Sequence, residues 1–230
     1  MPKTTLQLYI ANKNYSSWSL RPWLLLRALD IPFREHLVPF GSGGADNAFA
    51  RFSPTAKVPC LHDGDTVVWD SLAITEYLAE QVPAVWPGDA IARAWARCAA
   101  AEMHSGFQAL RDVCSMNCGI RVQLHDIPAP LQRDLERIES LWTEGLERFG
   151  GPFLAGPAFS AVDAFYAPVV FRLQTYRLSM SAACNDYVKR VLTLPGMREW
   201  YAAALAETWR DEAHEQDVKR VGRTLEDLRA

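Results

Sequence analysis

The first third of the chain alternates strand and helix signals. Leu6-Gln7-Leu8-Tyr9-Ile10 alternates apolar and polar positions and then meets the polar stretch Asn12-Lys13-Asn14, which predicts a strand running into a loop. Leu20, Trp23, Leu24 and the run from Leu26 to Leu29 supply the apolar face of a helix, and Phe33 to Val38 predicts a second strand. Gly41-Ser42-Gly43-Gly44 predicts a flexible loop, and Ala48 to Phe52 a short helix at best. Val58-Pro59-Cys60-Leu61 and Thr66-Val67-Val68-Trp69 flank Asp63-Gly64. That dipeptide between two β-rich runs predicts a hairpin, because both central residues of the favoured turn take positive φ. Helical spacing returns from Ser71 to Gln81 through Leu72, Ile74, Tyr77 and Leu78. The order strand, helix, strand, loop, hairpin, helix fits a mixed four-stranded sheet with helices on its faces.

Val82-Pro83 and Trp86-Pro87-Gly88 then punctuate the chain and divide it into a first domain at 1–83 and a second at 89–230. Beyond them strand signals vanish. Helices are predicted from Ile91 to about Cys114, Ala129 to Phe149, Val162 to Leu178, Asp186 to Leu192 and Met197 to Glu207. From Trp209 onward charges of both signs dominate, which predicts a solvated terminal helix or a frayed tail.

Composition narrows the class. With 49% hydrophobic and 22% charged residues, the chain is an ordinary globular one, and 230 residues suffice for one large domain or two small ones. A formal net charge of -3 leaves no basic stripe for nucleic acid or an anionic membrane surface. No apolar run approaches the ~18 residues that cross a bilayer. Met1-Pro2-Lys3-Thr4-Thr5-Leu6 lacks the apolar core of a signal peptide, so the expected location is the cytoplasm. The cysteines (Cys60, Cys98, Cys114, Cys118, Cys184) are odd in number and hold no C-x-x-C pair. They read as buried free thiols rather than a metal site, although the spacing of Cys114 and Cys118 would place two thiols on one helix face, downstream of His104.

Three local features coincide. Ser16-Ser17-Trp18-Ser19-Leu20-Arg21-Pro22 lies between the first strand and the first helix, Lys57-Val58-Pro59-Cys60-Leu61 opens the hairpin, and Asp70-Ser71 opens the next helix. In this order they resemble the cytosolic glutathione transferase family. The first is similar to the Ser-Ser-Cys-Ser-x-Arg-Val signature of the zeta class and the Ser-Pro-Phe-x-x-Arg-Val of the tau class. The second is similar to the family's Val-Pro-x-Leu with its cis-proline, and the third to its Glu/Gln/Asp-Ser pair. Ser160-Ala161-Val162-Asp163 resembles the capping box of the family's sixth helix. Asn-Lys-Asn-Tyr-Ser-Ser-Trp-Ser at residues 12–19 resembles bacterial members whose substrates are mostly unassigned. The resemblance implies an α/β thioredoxin-like N-terminal domain with a mixed four-stranded sheet, followed by an all-α helical C-terminal domain. It also implies glutathione as co-substrate, a small hydrophobic electrophile as second substrate, and no metal.

The residue chemistry suits this. A helix N-terminus presents unpaired N–H groups and the positive end of a dipole, and two such ends fall near Ser17 and at Ser71. The resemblance assigns the Ser71 N–H and hydroxyl to the γ-glutamyl carboxylate, Asp70 to its ammonium and Lys57 to the glycyl carboxylate. Val58, turned outward by a cis Pro59, would pair with the cysteinyl backbone. Ser16 is the candidate for activating the thiol. Ser17 and Tyr15 compete with it, because this loop is longer than that of the zeta class. A free thiol titrates near ~8.5, and reactivity at neutral pH needs a shift of about two units, or ~2.7 kcal/mol. A hydroxyl bonded to a charged group supplies ~1.5–3 kcal/mol, a helix end only ~0.3–1.

Trp18 stands where the zeta class has cysteine, and no cysteine precedes Pro59. Thiol–disulfide exchange at the helix start is therefore not expected, and maleylacetoacetate isomerase becomes the weaker specific assignment. The electrophile site is expected between Trp18 and the segment from His104 to Asn117, with Arg111, Met116 and Asn117 in its wall and with Arg21 and His104 structural. Together these features predict a glutathione transferase of serine type. The alternatives are a glutathione-dependent cis-trans isomerase and a non-catalytic member that uses the fold as an interaction scaffold. The resemblance further implies a two-fold homodimer, with Trp86, Trp95 and Phe107 near the domain junction.

Overall fold

The computed structural model describes residues 5–41 and 47–230; Ser42, Gly43 and Gly44 of the expected flexible loop lie outside the described residues. β1 (Leu6–Ile10) leads into α1 (Ser17–Ala28), which returns the chain to β2 (Phe33–Leu37), parallel to β1 with Leu6 opposite Phe33. A 3₁₀ turn (Ala48–Arg51) precedes β3 (Cys60–Asp63), β4 (Thr66–Val68) and α2 (Ser71–Ala79). The strand order is β2-β1-β3-β4, parallel at β1–β2 and antiparallel elsewhere, which is the mixed thioredoxin-like sheet. The hairpin turn sits one residue later than expected. Asp63 pairs with Thr66, so Gly64 and Asp65 are its central residues, and only Gly64 takes positive φ (58°). This is the two-residue turn that needs glycine first.

The second domain comprises α3 (Ala90–Ser105), α4 (Gln108–Val113), α5 (Ala129–Arg148), α6 (Ala161–Thr175), α7 (Ala182–Thr193), α8 (Pro195–Leu205) and α9 (Glu212–Val221). The single helix expected from Ile91 to Cys114 is two. It breaks at Gly106, where a Cβ would lie 2.8 Å from the Glu102 carbonyl oxygen, and at Phe107, which is left-handed with φ 57°. Because α4 ends at Val113, Cys114 and Cys118 share no helix face; both are buried free thiols.

The expected disappearance of strands after the linker is also corrected. β5 (Ile120–Leu124) pairs antiparallel with β6 (Gly222–Asp227). The alternation Ile120-Arg121-Val122-Gln123-Leu124 is a strand signal, but its partner lies in the charged tail, expected to be solvated or frayed. That tail instead folds back as α9 and β6. Beyond it the Arg229 side chain, only 5% exposed, bridges Glu215 and Asp227.

α6 is buried almost end to end and packs against both α1 and α3, so the two domains share apolar core. The capping box at its start forms: the Ser160 N–H donates to Asp163 Oδ2 at 2.9 Å. Asn12-Lys13-Asn14, a loop by its polarity, is buried too. Lys13 pairs with Glu35 at 2.6 Å and lies 5.3 Å from the Trp23 ring and 5.6 Å from that of Trp200. The Glu207 carboxylate accepts from the Lys13 and Asn14 N–H groups at 2.5 and 3.2 Å. The loop that enters α1 is thus pinned to the end of α8. Trp86 and Phe107, offered above for a dimer contact, are buried within the chain, while Trp69 and Ile91 are exposed. No helix among the described residues is long and apolar enough to cross a membrane.

Candidate active site

Two adjoining clefts, of about 420 and 430 Å³, share Trp18, Lys57 and Val58. Tyr15, Ser16, Ser17, Arg111 and Met116 line the first; Pro59, Trp69, Asp70 and His104 line the second. Most of the residues singled out from the sequence thus meet on one surface.

Ser16 is the residue before α1, and its side chain makes no cap hydrogen bond. Its hydroxyl donates instead to Ser19 Oγ at 2.7 Å, and Ser19 in turn accepts from the Ala11 N–H at 3.3 Å. Ser17, the first helical residue, has a hydroxyl with no hydrogen-bond partner among the described residues. The Tyr15 phenol is engaged elsewhere: it donates to Glu215 at 2.7 Å and accepts from Arg229 at 3.2 Å. Burial, reinforced by Glu215, raises its pKa well above the usual phenol range.

The Val58–Pro59 peptide is cis. The Val58 backbone makes no hydrogen bond among the described residues, and the exposed Lys57 is in no ion pair there. Asp70 caps α2 by accepting from the Leu72 and Ala73 N–H groups at 2.8 and 3.4 Å, and lies 3.3 Å from His104 Nε2. Ser71 follows it but does not reach the lining: it is fully buried, with its hydroxyl 3.5 Å from Arg21 Nη1. As the first helical residue, its N–H has no partner within the helix.

On the side of the cleft that Trp18 and Arg111 line, the Arg21 and Arg111 guanidiniums lie 4.2 and 4.8 Å from the Trp18 ring centroid. Arg111 is not the salt-bridging residue its charge suggests. It donates to the carbonyls of Met103 and Gly106, the latter at 3.0 Å. Asn117 is fully buried and stands behind the wall rather than in it, donating to Glu215 at 3.1 Å. His104 faces Trp18 edge-on at 5.2 Å, and burial lowers its pKa, with Arg21 and Arg111 adding to the effect against Asp70.

Arg172, His214 and Asp217 are among the lining residues that the sequence did not single out. Arg172 carried a signal, as a charge inside an otherwise apolar helical run. His214 and Asp217 carried none, because they belong to the tail.

A thioredoxin-like domain and a helical domain facing each other across a cleft with a cis-proline strand and two helix starts define a class of thiol-handling two-domain proteins. Residues 15–81 match the family model described as glutathione S-transferase, N-terminal domain, and residues 121–203 the one described as glutathione S-transferase, C-terminal domain. The chain belongs to the glutathione S-transferase family and is an enzyme of that family. It is 28% identical over 179 residues to glutathione S-transferase 1 of Dianthus caryophyllus, covering 72% of this chain and 76% of that one. It is 26% identical over 180 residues to maleylacetoacetate isomerase of Rattus norvegicus, covering 76% and 81%. In structure it resembles a glutathione transferase homologue from Burkholderia solved with bound glutathione, with a TM-score of 0.67, 22% identity and 87% and 98% coverage.

Proposed function

We propose that this chain is a serine-type glutathione transferase that ionises the thiol of glutathione at the start of α1 for attack on a small electrophile in the adjoining cleft. The observation that carries this is a set of hydrogen-bonding groups around one surface with no partner among the described residues: the Val58 backbone, the Ser17 hydroxyl and the exposed Lys57 ammonium. The Burkholderia homologue of the same fold was solved with bound glutathione, which supports the same ligand here. In this reading Val58 pairs with the cysteinyl backbone, Lys57 meets the glycyl carboxylate, and Asp70, on the cleft lining, takes the ammonium of the γ-glutamyl end. Ser16 donates to the sulfur. To do so its hydroxyl leaves Ser19, exchanging a neutral hydrogen bond worth ~1 kcal/mol for a charge-assisted one worth ~1.5–3. Ser17, on the same wall, is the competing donor.

The named isomerase relative supports a second reading, in which the thiolate adds to the substrate, a bond rotates, and glutathione leaves unchanged. Product analysis separates the two, since a transferase consumes glutathione and an isomerase does not. A cytoplasmic location fits a chain whose five cysteines are all free. The decisive test is retention on immobilised glutathione followed by absorbance of the bound thiolate against pH. Retention with a thiol titrating below its free value supports the proposal, and absence of both rejects it.

A further inference from the structure

The electrophile side of the cleft carries more positive charge than its neighbours balance. Arg172 lines the cleft and is 4% exposed, yet its Nη1 donates only to the Cys114 carbonyl, and its buried Nε has no partner among the described residues. Arg111, on the same wall, donates to two carbonyls. Behind them Arg21, a fully buried residue of α1, donates to the Met103 carbonyl at 3.4 Å and Ser71 Oγ at 3.5 Å, and its Nε also has no partner among the described residues. Every acceptor of the three is a neutral oxygen, and none of the three forms an ion pair among the described residues. The acids nearby are committed: Asp217 pairs with Arg220 at 3.0 Å, Glu215 with Arg229, and Asp70 caps α2 while facing His104. Asp112 and Asp134 act on Arg111 from a distance. Burial, with Arg111 adding repulsion, pulls Arg172 down to about 10.

Buried charges are ordinarily paired, because an unpaired one retains its desolvation cost. We infer that this wall binds a carboxylate, and that the electrophile is an aromatic or unsaturated acid rather than a neutral apolar molecule. The inference rests on the transferase reading above. Two guanidiniums suit the paired oxygens of a carboxylate, and Trp18, Phe40 and Met116 in the same lining suit a flat apolar body.

The probe is 4-chloro-3-nitrobenzoate. The glutathione sulfur bonds to the ring carbon bearing chlorine, the carbon–chlorine bond breaks with its electron pair leaving on chloride, and the thiol proton passes to solvent. The carboxylate takes no part in bond changes. Its kcat/KM is compared with that of the methyl ester, each divided by the uncatalysed rate with glutathione, and 1-chloro-2,4-dinitrobenzene reports transferase activity independently. The acid should be preferred roughly tenfold or more, and Arg111→Gln should lower that preference roughly tenfold, mainly through KM. Arg172→Gln should do the same if circular dichroism shows it folded; the wild-type comparison does not depend on it. Equal use of acid and ester by an enzyme that conjugates the dinitrobenzene overturns the inference and leaves the transferase reading standing. The inference also falls if Arg111→Gln weakens glutathione binding while the acid-to-ester ratio stays put, because the arginines then hold the tripeptide's own carboxylate. No turnover of any probe and no retention on glutathione removes both readings.

Discussion

The phenol of Tyr15 donates to the carboxylate of Glu215 at 2.7 Å, joining the loop before α1 to a helix 200 positions away. Arg229 and Asn117 bond to the same carboxylate, and His214 and Asp217 beside it line the cleft, so the C-terminal tail is part of the cleft wall rather than an appendage. Burial pushes the Glu215 carboxyl up, but hydrogen bonds from Arg229 and Tyr15 outweigh it and hold the carboxyl below the usual range. A depressed folded pKa contributes stability that is present above the unfolded value of ~4.3 and is lost as pH falls through the folded one. Arg229→Ala should therefore destabilise at neutral pH by about 2–3 kcal/mol and flatten the loss of stability below about pH 4. Urea midpoints of both proteins between pH 7 and pH 3 check this; parallel curves would refute it.

Tyr15→Phe should weaken the same clamp by about 1 kcal/mol without raising the pKa of bound glutathione, because the phenol points to Glu215. A marked rise in the thiol titration would make Tyr15 the activating donor.

Ser16→Ala should leave glutathione binding nearly intact, since in the proposed pose Val58, Lys57 and Asp70 hold the rest of the tripeptide. It should raise the bound thiol's pKa by about one to two units, lowering conjugation at neutral pH roughly ten- to a hundredfold, with activity recovering as pH rises. Thiolate absorbance against pH for Ser16→Ala beside Ser17→Ala decides between the two hydroxyls. If only the second moves the titration, Ser17 is the donor.

Asp163 is fully buried and accepts from the Leu154 N–H at 3.0 Å, the Ser160 N–H at 2.9 Å and the Tyr187 hydroxyl at 3.1 Å. Asp163→Ala leaves those donors unpaired, so the cost should be about 3 kcal/mol or more rather than the ~1 typical of a helix cap. An unchanged denaturation midpoint would show that the box contributes nothing.

A two-fold homodimer is expected, with the N-terminal domain of one subunit on the helical domain of the other and with Trp69 and Ile91 as exposed apolar side chains on either side of the linker. Sedimentation at micromolar concentration should give twice the chain mass; a monomer would end this expectation.

What the sequence by itself determined is local. The alternation of Leu6 to Ile10, the glycine of the hairpin turn, Asp70 at the start of α2 and the Ser160–Asp163 box all depend on neighbours within about four residues, where backbone geometry and capping chemistry operate. Those features placed the sheet and brought Ser16, Ser17, Lys57, Val58 and Asp70 to one surface, across two adjoining clefts. The tertiary structure alone decided which polar groups face the ligand and which are sealed. Ser71 and Asn117 look like site residues by type, but packing turns them inward, while it brings Arg172 from the last turn of α6 to the cleft wall. The strand at Ile120–Leu124 had a legible pattern, yet its pairing depends on Gly222–Asp227, about a hundred positions on, in a stretch whose charges suit solvent equally well. Such pairings arise from chain topology and the burial of distant surfaces, which no short window of sequence contains.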